Sequence, residues 1–443
     1  MRTALAACTV TVLLCATART ADSPAQELFN RLRLNVRGAL ERVPRYTCVQ
    51  TITRTQHRPQ YGAARGNSCA ALLSARTQLT SAGLLLWHDR LRLDVAVGDK
   101  SEMFSWAGAR QFETNSLGDL ALSGSTGSGS FSSFLASVFG PDAQGFRYVG
   151  EQDISLSSKV ITRLATYTYD VPLAKSHYSY STASNKARII PFSGSFYAVP
   201  ATAELKRLVV EATHFPAGDV CRVVDTMDYH KVSIGSGDFL LPEVSTMAVV
   251  YRTGDEDLNE TRYSGCHEFT GDSTIRYDDS DEPVSANVAL AAKAALQSLP
   301  AKTRIRVKID PPLNSDTAAA GDTITGLVER EVKIKGQVVV RTTDRLHGRV
   351  LRFEQQMVPV PRWVVAIRFD SMERDGAEQP VVFKPLDDGD RNSQLPRGIG
   401  RGGGQRTPVM TVPERPAGAG LFMFGEAGRL VLDQKFHSEW ETR

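Results

Sequence analysis

Residues 91–97, Leu-Arg-Leu-Asp-Val-Ala-Val, place large apolar side chains at every second position. Because side chains of a β-strand point to opposite faces in turn, this stretch predicts a strand with one buried and one wet face. Stretches of the same kind, rich in β-branched and aromatic residues, recur along the chain between glycine-containing turns. They lie at 46–55, 101–106, 110–113, 146–149, 160–171, 177–181, 193–199, 206–213, 221–234, 246–252 and 260–269. The pattern predicts a large antiparallel sheet.

A sheet built from this many strands must curl or be covered by other elements. Residues 24–42 carry apolar side chains at a helical period and predict an amphipathic helix. A glycine- and serine-rich stretch at 124–130 predicts a flexible loop, and the apolar stripe at 131–139 predicts a short helix after it. We therefore expect a mainly β protein in which a curved half-barrel grips one or two helices.

The second half of the chain shows a change of composition near residue 280. An acidic, turn-rich break precedes an alanine-rich stretch, and alternation resumes at Thr303. Further on, a segment rich in Gly, Arg and Pro has almost no large apolar residues and cannot bury a core. The predicted organisation is a curved β domain at 22–282, a helical linker at 283–300, a small β-barrel or sandwich at 301–386, a flexible loop at 387–418 and closing strands at 419–443.

The amino terminus predicts the compartment. Arg2 precedes an uncharged apolar run at 4–18, and Ala16 and Ala18 stand at the spacing that a signal peptidase reads. Residues 1–21 therefore predict a signal peptide, which places the protein in the periplasm or outer envelope of a Gram-negative bacterium, soluble after cleavage. Cys8 fits a lipoprotein cleavage pattern in residue type but lies very near the start, so its lipidation stays open. No later apolar run approaches the ~20 residues of a membrane helix.

Four further cysteines follow: Cys48, Cys69, Cys221 and Cys266. An even number in an exported chain is typical of two disulfides, with free buried thiols as the alternative. Three pairings exist. We expect the most local one, Cys48–Cys69 with Cys221–Cys266, because it suits separate hairpins.

Charge and motifs exclude several functions. A formal net charge of +3 over 443 residues predicts no nucleic-acid groove. The GxGxxG match at 398–403 lacks the strand and helix of a dinucleotide site, so we expect no cofactor there. Asp225, Asp228 and His230 lie close together in sequence, but a surface Asp–His pair explains them better than a metal site. No motif marks a catalytic residue.

Aromatic residues provide one candidate binding site. Tyr167 with Tyr169, and Tyr178 with Tyr180, each place two rings on one face of a strand. We expect these rings to line an apolar cavity in an incompletely closed sheet, together with side chains of the predicted helix at 131–139. Those are Phe131, Phe134, Leu135 and Phe139. Core packing and cross-strand pairing are the alternative explanation.

Several short stretches carry a family resemblance over residues 26–280. They include Tyr46-Thr-Cys, Met103-Phe-Ser-Trp, Asp238-Phe-Leu-Leu-Pro and Ser264-Gly-Cys. Together they resemble a group of uncharacterised exported proteins of environmental bacteria, which brings no known activity. The order of elements is also similar to the half-open barrel of outer-membrane lipoprotein-sorting carriers. That resemblance implies a curved sheet that grips helices over an apolar cavity for acyl chains.

These observations favour a non-enzymatic envelope protein that binds a lipid or another apolar ligand, or docks an envelope protein partner. One alternative is a secreted hydrolase with a site assembled from scattered residues, which predicts a polar cleft containing a histidine or paired carboxylates with perturbed pKa values. The other is a structural surface protein without a ligand, which predicts an exposed apolar patch or sheet edge.

Overall fold

A computed structural model describes residues 23–59, 68–76, 83–98, 101–109, 111–121, 123–182, 185–215, 219–235, 237–269, 299–386, 389–390, 414–425 and 428–443. The predicted signal peptide 1–21, with Cys8, lies outside these residues. So do 283–298 of the expected linker, and 387–388 and 391–413 of the expected flexible loop.

The described chain contains helices α1 (Pro24–Arg42), α2 (Cys69–Arg76) and α3 (Ser133–Phe139). The strands of the first part are β1 (Tyr46–Arg58), β2 (Leu84–Gly98), β3 (Ser101–Trp106), β4 (Gln144–Ser155), β5 (Ile161–Val171), β6 (Ser179–Thr182), β7 (Asn185–Ile189), β8 (Phe192–Ala198), β9 (Leu205–Ala212), β10 (Val220–Ile234), β11 (Gly237–Tyr251) and β12 (Glu256–Glu268).

The strands of the second part are β13 (Arg304–Ile309), β14 (Leu313–Asn314), β15 (Thr323–Val328), β16 (Val332–Ile334), β17 (Gln337–Val340), β18 (Arg345–Gln356), β19 (Arg362–Arg374), β20 (Ala377–Pro380), β21 (Phe383–Pro385), β22 (Gly389–Asp390), β23 (Gly420–Phe424), β24 (Val431–Leu432) and β25 (His437–Thr442). None of the described helices is long and apolar enough to cross a membrane.

The first part of the chain forms one long antiparallel sheet. Its order is β4-β5-β8-β9-β10-β11-β12-β1-β2-β3, and every neighbouring pair runs antiparallel. Helices α1 and α3 contact each other and pack on one face of this sheet, which we call the inner face. The prediction of a mainly β protein with a large curved antiparallel sheet and packed helices is confirmed.

Helix α1 follows from its local sequence. The Ser23 hydroxyl accepts a hydrogen bond from the Gln26 N–H at 3.2 Å, and Pro24 occupies the first helical turn, where its missing N–H is not needed. The buried side chains of the helix lie on a single face: Leu28, Phe29, Leu32 and Val36. That face packs against the inner face of the sheet over β5, β8 and β9.

The second part forms a sheet in the order β21-β25-β13-β15-β18-β19-β23. The expectation for this part is a small β-barrel or sandwich; within the described residues the sheet does not close, so a closed barrel is not found. Strand β18 connects this sheet to the first one. Its first half pairs with β15, but Glu354–Gln356 pairs with β2 of the first part instead of continuing beside β15. The two sheets are therefore continuous.

The two parts also share a core. Leu93 of β2 packs in one cluster with Leu351 and Val364 of the second part. Beside it, Arg54 of β1 and Asp89 of β2 form a buried ion pair joined by two hydrogen bonds, and Arg54 is 1% exposed. The predicted domains 22–282 and 301–386 thus meet over a packed seam.

The four described cysteines form two disulfides, but the expected pairing is wrong. Cys48 is bonded to Cys266, and Cys69 is bonded to Cys221. Strands β1 and β12 are direct neighbours in the sheet, which brings the Cα atoms of Cys48 and Cys266 to 4.1 Å. The second disulfide fastens α2 to β10.

Candidate functional site

The predicted aromatic residues lie on or above the inner face. Tyr167 and Tyr169 project from β5, α3 supplies Phe134, Leu135 and Phe139, and all five are buried in one core. Tyr178 and Tyr180 are half-buried against that core. Phe131 belongs to the neighbouring core around Tyr46.

Phe196 of β8 is the centre of this aromatic end of the inner face. Its ring stacks on Tyr167 at a centroid distance of 5.1 Å and lies 5.1 Å from Phe139. Tyr167 is 3% exposed and donates its hydroxyl hydrogen to the Ala25 carbonyl at 2.7 Å. Side chains of α1, α3 and the sheet therefore fill this end, and an apolar ligand would have to displace part of a helix.

The inner face becomes polar away from this end. Asp225 of β10 lies two residues before buried Met227, and Glu102 of β3 lies two residues before buried Phe104. As whole residues both acids are half-buried. Tyrosines gather around them, and we call the group the acid–tyrosine cluster: Tyr46, Glu102, Tyr178, Asp225, Tyr229 and Tyr263.

Specific contacts hold these side chains in place. The Tyr178 hydroxyl donates to Asp225 Oδ2 at 3.2 Å. The hydroxyls of Tyr263 and Ser245 are 2.9 Å apart, and the Tyr229 hydroxyl donates to the Ser130 carbonyl at 2.8 Å.

The two carboxyl groups have perturbed pKa values. Burial raises the pKa of Asp225 from 3.8 to about 7, although the hydrogen bond from Tyr178 opposes the shift. Burial also raises the pKa of Glu102, and hydrogen bonds from the N–H groups of Gly129 and Phe131 oppose it. In the described part of the chain neither carboxyl has an ion pair with a basic side chain. Both acids are therefore enclosed without a compensating charge.

The glycine- and serine-rich stretch 124–130, which we call the covering segment, lies directly on this polar region. Carboxylates of the sheet hold its backbone: Ser125 N–H donates to Asp257 Oδ2 at 2.9 Å, and Gly129 N–H donates to Glu102 Oε2 at 3.0 Å. A Cβ atom added at Gly127 would lie 2.7 Å from Met247 Sδ. The sequence predicts a flexible loop here, whereas the structure shows a segment fastened at both ends.

Two deeply buried side-chain amides each have one polar atom without a hydrogen-bond partner among the described residues. Gln50 is 4% exposed and Asn259 is 5% exposed. Among the described residues, no hydrogen-bond partner meets Gln50 Nε2 or Asn259 Oδ1. Gln50 lies directly opposite Tyr263 in the register of β1 and β12. Because unpaired buried polar atoms are costly, they mark a place where a ligand or a water completes the structure.

A hydrolase site would require a histidine or paired carboxylates, and no histidine belongs to the acid–tyrosine cluster as defined above. His88 is 2.7 Å from Gln355 Oε1 at the seam between the two sheets. His177 is exposed beside Asp142, and His214 follows the end of β9. His230 lies opposite buried Leu241 in the register of β10 and β11, and its Nδ1 has no hydrogen-bond partner among the described residues.

Strand alternation in the sequence gives a signal for both acids. Glu102 shares a strand face with Phe104 and Trp106, so it is a charge on an otherwise apolar face. Asp225 shares a face with Met227 and Tyr229, not with Asp228. Asp228 faces outward and forms an ion pair with Arg207, with Nε and Oδ1 2.6 Å apart.

Comparison with known proteins gives a limited likeness. No protein-family model matches the chain, and no curated protein matches it. A LolA superfamily protein from Nitrosomonas europaea is 9% identical with a TM-score of 0.22. A domain named for outer-membrane lipoprotein sorting, from Vibrio parahaemolyticus, is 10% identical with a TM-score of 0.25. Each match covers 56% of this chain and 94% of the other. At these TM-scores the likeness carries no argument, so the proposals below rest on the contacts of this chain.

Proposed function

We propose that this protein is a non-enzymatic, extracytoplasmic binding protein whose inner sheet face holds an amphipathic small molecule. The polar part of the ligand lies at the acid–tyrosine cluster, and its apolar part enters the aromatic end around Phe196, where part of a packed helix must move to admit it. One observation carries the proposal: on the inner face Asp225 and Glu102 have no basic partner among the described residues, although burial raises the pKa of both.

The energetic argument concerns the cost of those acids. An enclosed carboxylate without a partner charge destabilises a fold, and a hydrophobic residue of similar volume would remove that cost. Strongly perturbed acids in an enclosed region are therefore candidates for a functional role. The covering segment lies over both acids, so a ligand reaches their carboxyl groups when that segment opens.

The covering segment provides an entrance. It contains Gly124, Gly127 and Gly129, and its backbone is held by one hydrogen bond each to the side chains of Asp257, Glu102, Asn259 and Tyr229. Breaking these few bonds would expose the acid–tyrosine cluster while the strand pairs of the sheet stay intact. Segments held by few contacts open at low free-energy cost, as binding loops must.

Extraction of the protein from its own host tests the proposal. The protein is purified without detergent, denatured, extracted with organic solvent and analysed by mass spectrometry. We expect an amphipathic molecule at a substantial fraction of one equivalent from the wild type. Asp225→Asn should retain at least fivefold less. The matched control is Glu211→Gln, which changes a carboxylate of β9 that pairs with Arg222 on partly exposed surface.

Two outcomes would contradict the proposal. One is a wild-type extract without any stoichiometric small molecule, from protein that also binds no added amphiphile. The other is equal recovery of the molecule from Asp225→Asn and from Glu211→Gln, which would separate the ligand from the acid–tyrosine cluster.

The raised pKa values favour one second candidate, acid–base hydrolysis at the same cluster, since a general acid needs a raised pKa. Glu102 fits this role less well, because its two oxygens accept hydrogen bonds from Gly129 and Phe131 at 3.0 and 3.5 Å. A panel of 4-nitrophenyl glycosides and esters tests it. Turnover that disappears in Asp225→Asn and persists in Glu211→Gln would favour hydrolysis over simple binding.

A further inference from the structure

We propose that the head group bound at the acid–tyrosine cluster is a substituted ammonium ion, so that the ligand is a cationic or zwitterionic amphiphile and not an anionic or purely neutral one. This inference rests on the proposed function and adds the chemical class of its ligand. It is carried by the charges, the aromatic rings and an unpaired amide of the inner face.

Arg54 is the basic side chain that reaches this region, through Ser123, and its charge is already paired with Asp89, so the unpaired charges described on this part of the inner face have one sign. Glu102, Asp225 and Asp257 all project into it, and in the described part of the chain none of the three has an ion pair. Asp257 accepts hydrogen bonds from Gln56 Nε2 and from the Tyr251 hydroxyl, at 2.9 and 2.8 Å. A bound cation would compensate these carboxyls, whereas an anionic head group would be repelled.

Aromatic rings surround the same place. The rings of Phe131 and Tyr263 have centroids 4.8 Å apart, and Tyr46 lies 5.8 Å from Phe131. Burial raises the pKa of both Tyr46 and Tyr263, and the nearby charge of Glu102 adds to both shifts. Aromatic rings beside a carboxylate are the combination that recognises substituted ammonium ions, because the negative face of each ring attracts the cation.

The unpaired amide of Gln50 is an independent sign of a ligand. Gln50 is 4% exposed, and its Nε2 has no partner among the described residues. Its side chain shares a strand face with Cys48 and Ile52 and lies opposite Tyr263, so it points to the side of the aromatic rings. An oxygen of the head group can accept from this amide while the nitrogen faces the acids.

Isothermal titration calorimetry with three amphiphiles of equal chain length tests the inference. The probes are decyltrimethylammonium, decyl maltoside and decyl sulfate, each below the concentration at which it forms micelles, at pH 8. We expect decyltrimethylammonium to bind at least tenfold more tightly than decyl maltoside, and decyl sulfate to bind most weakly. Asp225→Asn and Glu102→Gln should each reduce this preference at least fivefold, whereas Glu211→Gln should keep it. Near-UV circular dichroism shows that each variant is folded.

The preference should also depend on pH. Asp225 must be ionised to attract the cation, so the affinity for decyltrimethylammonium should rise at least threefold from pH 6 to pH 8. The groups that face Asp225 are Tyr169, Tyr178 and Tyr263, and burial raises the pKa of each above its ordinary value of 10. They therefore stay neutral over this range. Glu102 is the other acid of the cluster, and its titration adds in the same direction.

The outcomes separate the two proposals. Equal affinity for the three amphiphiles would overturn the ammonium inference and leave the proposed function standing. Binding of none of them would count against the proposed function itself. A wild-type preference that survives in both Asp225→Asn and Glu102→Gln would also overturn the inference, because the preference would then arise elsewhere.

Discussion

Replacing Asp225 with Asn should stabilise the protein at neutral and alkaline pH. The substitution keeps the shape of the side chain and an oxygen that can accept the Tyr178 hydrogen bond of 3.2 Å. It removes a negative charge that the surroundings do not compensate. The wild type carries that charge whenever the pH exceeds the pKa of the folded state.

The magnitude follows from the pKa of Asp225, which burial raises from 3.8 to about 7. Between these values the folded protein holds a proton that the unfolded chain has lost, so the free energy of unfolding falls as the pH rises. At about 1.4 kcal/mol for each pKa unit, the full effect is about 4 kcal/mol. Asp225 as a residue is only half-buried, so solvent screening reduces this destabilisation, and we expect about 2 kcal/mol.

Urea unfolding at pH 4, 6 and 8 measures this effect. Near pH 4 the aspartic acid is neutral in the folded state and only partly ionised in the unfolded chain, so Asp225→Asn should lie within about 0.5 kcal/mol of the wild type there and exceed it by about 2 kcal/mol at pH 8. Glu211→Gln, on the outer face, should follow the wild type within about 0.5 kcal/mol. If Asp225→Asn is less stable than the wild type at pH 8, the carboxylate has a partner charge and the reasoning fails.

Three other substitutions test contacts that stabilise the fold around the site: a buried ion pair, a disulfide and a tightly packed glycine. Arg54→Met should lower the free energy of unfolding in urea by about 3–5 kcal/mol, because it leaves Asp89 buried without its ion-pair partner. The double variant with Asp89→Leu should recover most of that loss. Equal losses in the single and double variants would contradict this reasoning. Cys69→Ser opens a disulfide that spans 152 residues and should lower stability by about 2–5 kcal/mol, with no loss expected if the protein is reduced beforehand. Gly321→Ala should lower the free energy of unfolding by more than about 2 kcal/mol, because φ is +106° and the new Cβ would lie 2.0 Å from the Arg92 backbone oxygen. Gly336→Ala, where φ is +83° and the space is open, should lower it by about 1 kcal/mol. Similar thermal unfolding of the two variants would refute the steric argument.

Much of the fold is readable from short-range patterns. The alternation at 91–97 lies in the middle of β2, whose buried and half-buried residues alternate from residue 89 to residue 98. Ser23 and Pro24 mark the start of α1, and the helix ends at Arg42 as expected. These features depend on neighbouring residues only, so the sequence is sufficient to predict them.

The disulfide pairing shows where local patterns stop being sufficient. Cys48 and Cys266 are bonded because β12, the last strand of the first part, returns beside β1. A preference for local pairing cannot anticipate this return, since it depends on the order of strands in the sheet. The same limit applies to the second sheet, where Glu354–Gln356 pairs with β2 and joins the two sheets.

The candidate site was predictable in part. Alternation puts Glu102 on the face of Phe104 and Trp106, which marks it as an acid among apolar side chains. Sequence alone cannot show that the covering segment folds over this face, or that Glu102 and Asp225 come near the same tyrosine, Tyr263. Both facts depend on contacts between residues far apart in the chain, which only the folded structure provides.

The most direct test of the central proposal is to locate a bound amphiphile on the protein. A decyl amphiphile with a photoactivatable diazirine at the chain end, carrying a trimethylammonium or a maltoside head, is cross-linked and the modified peptides are sequenced. The proposal predicts labelling of α3 and β8, suppressed by an excess of unlabelled amphiphile. Labelling confined to the exposed β4–β5 hairpin, where Val149 and Ile161 are accessible, or labelling that the excess does not suppress, would contradict it.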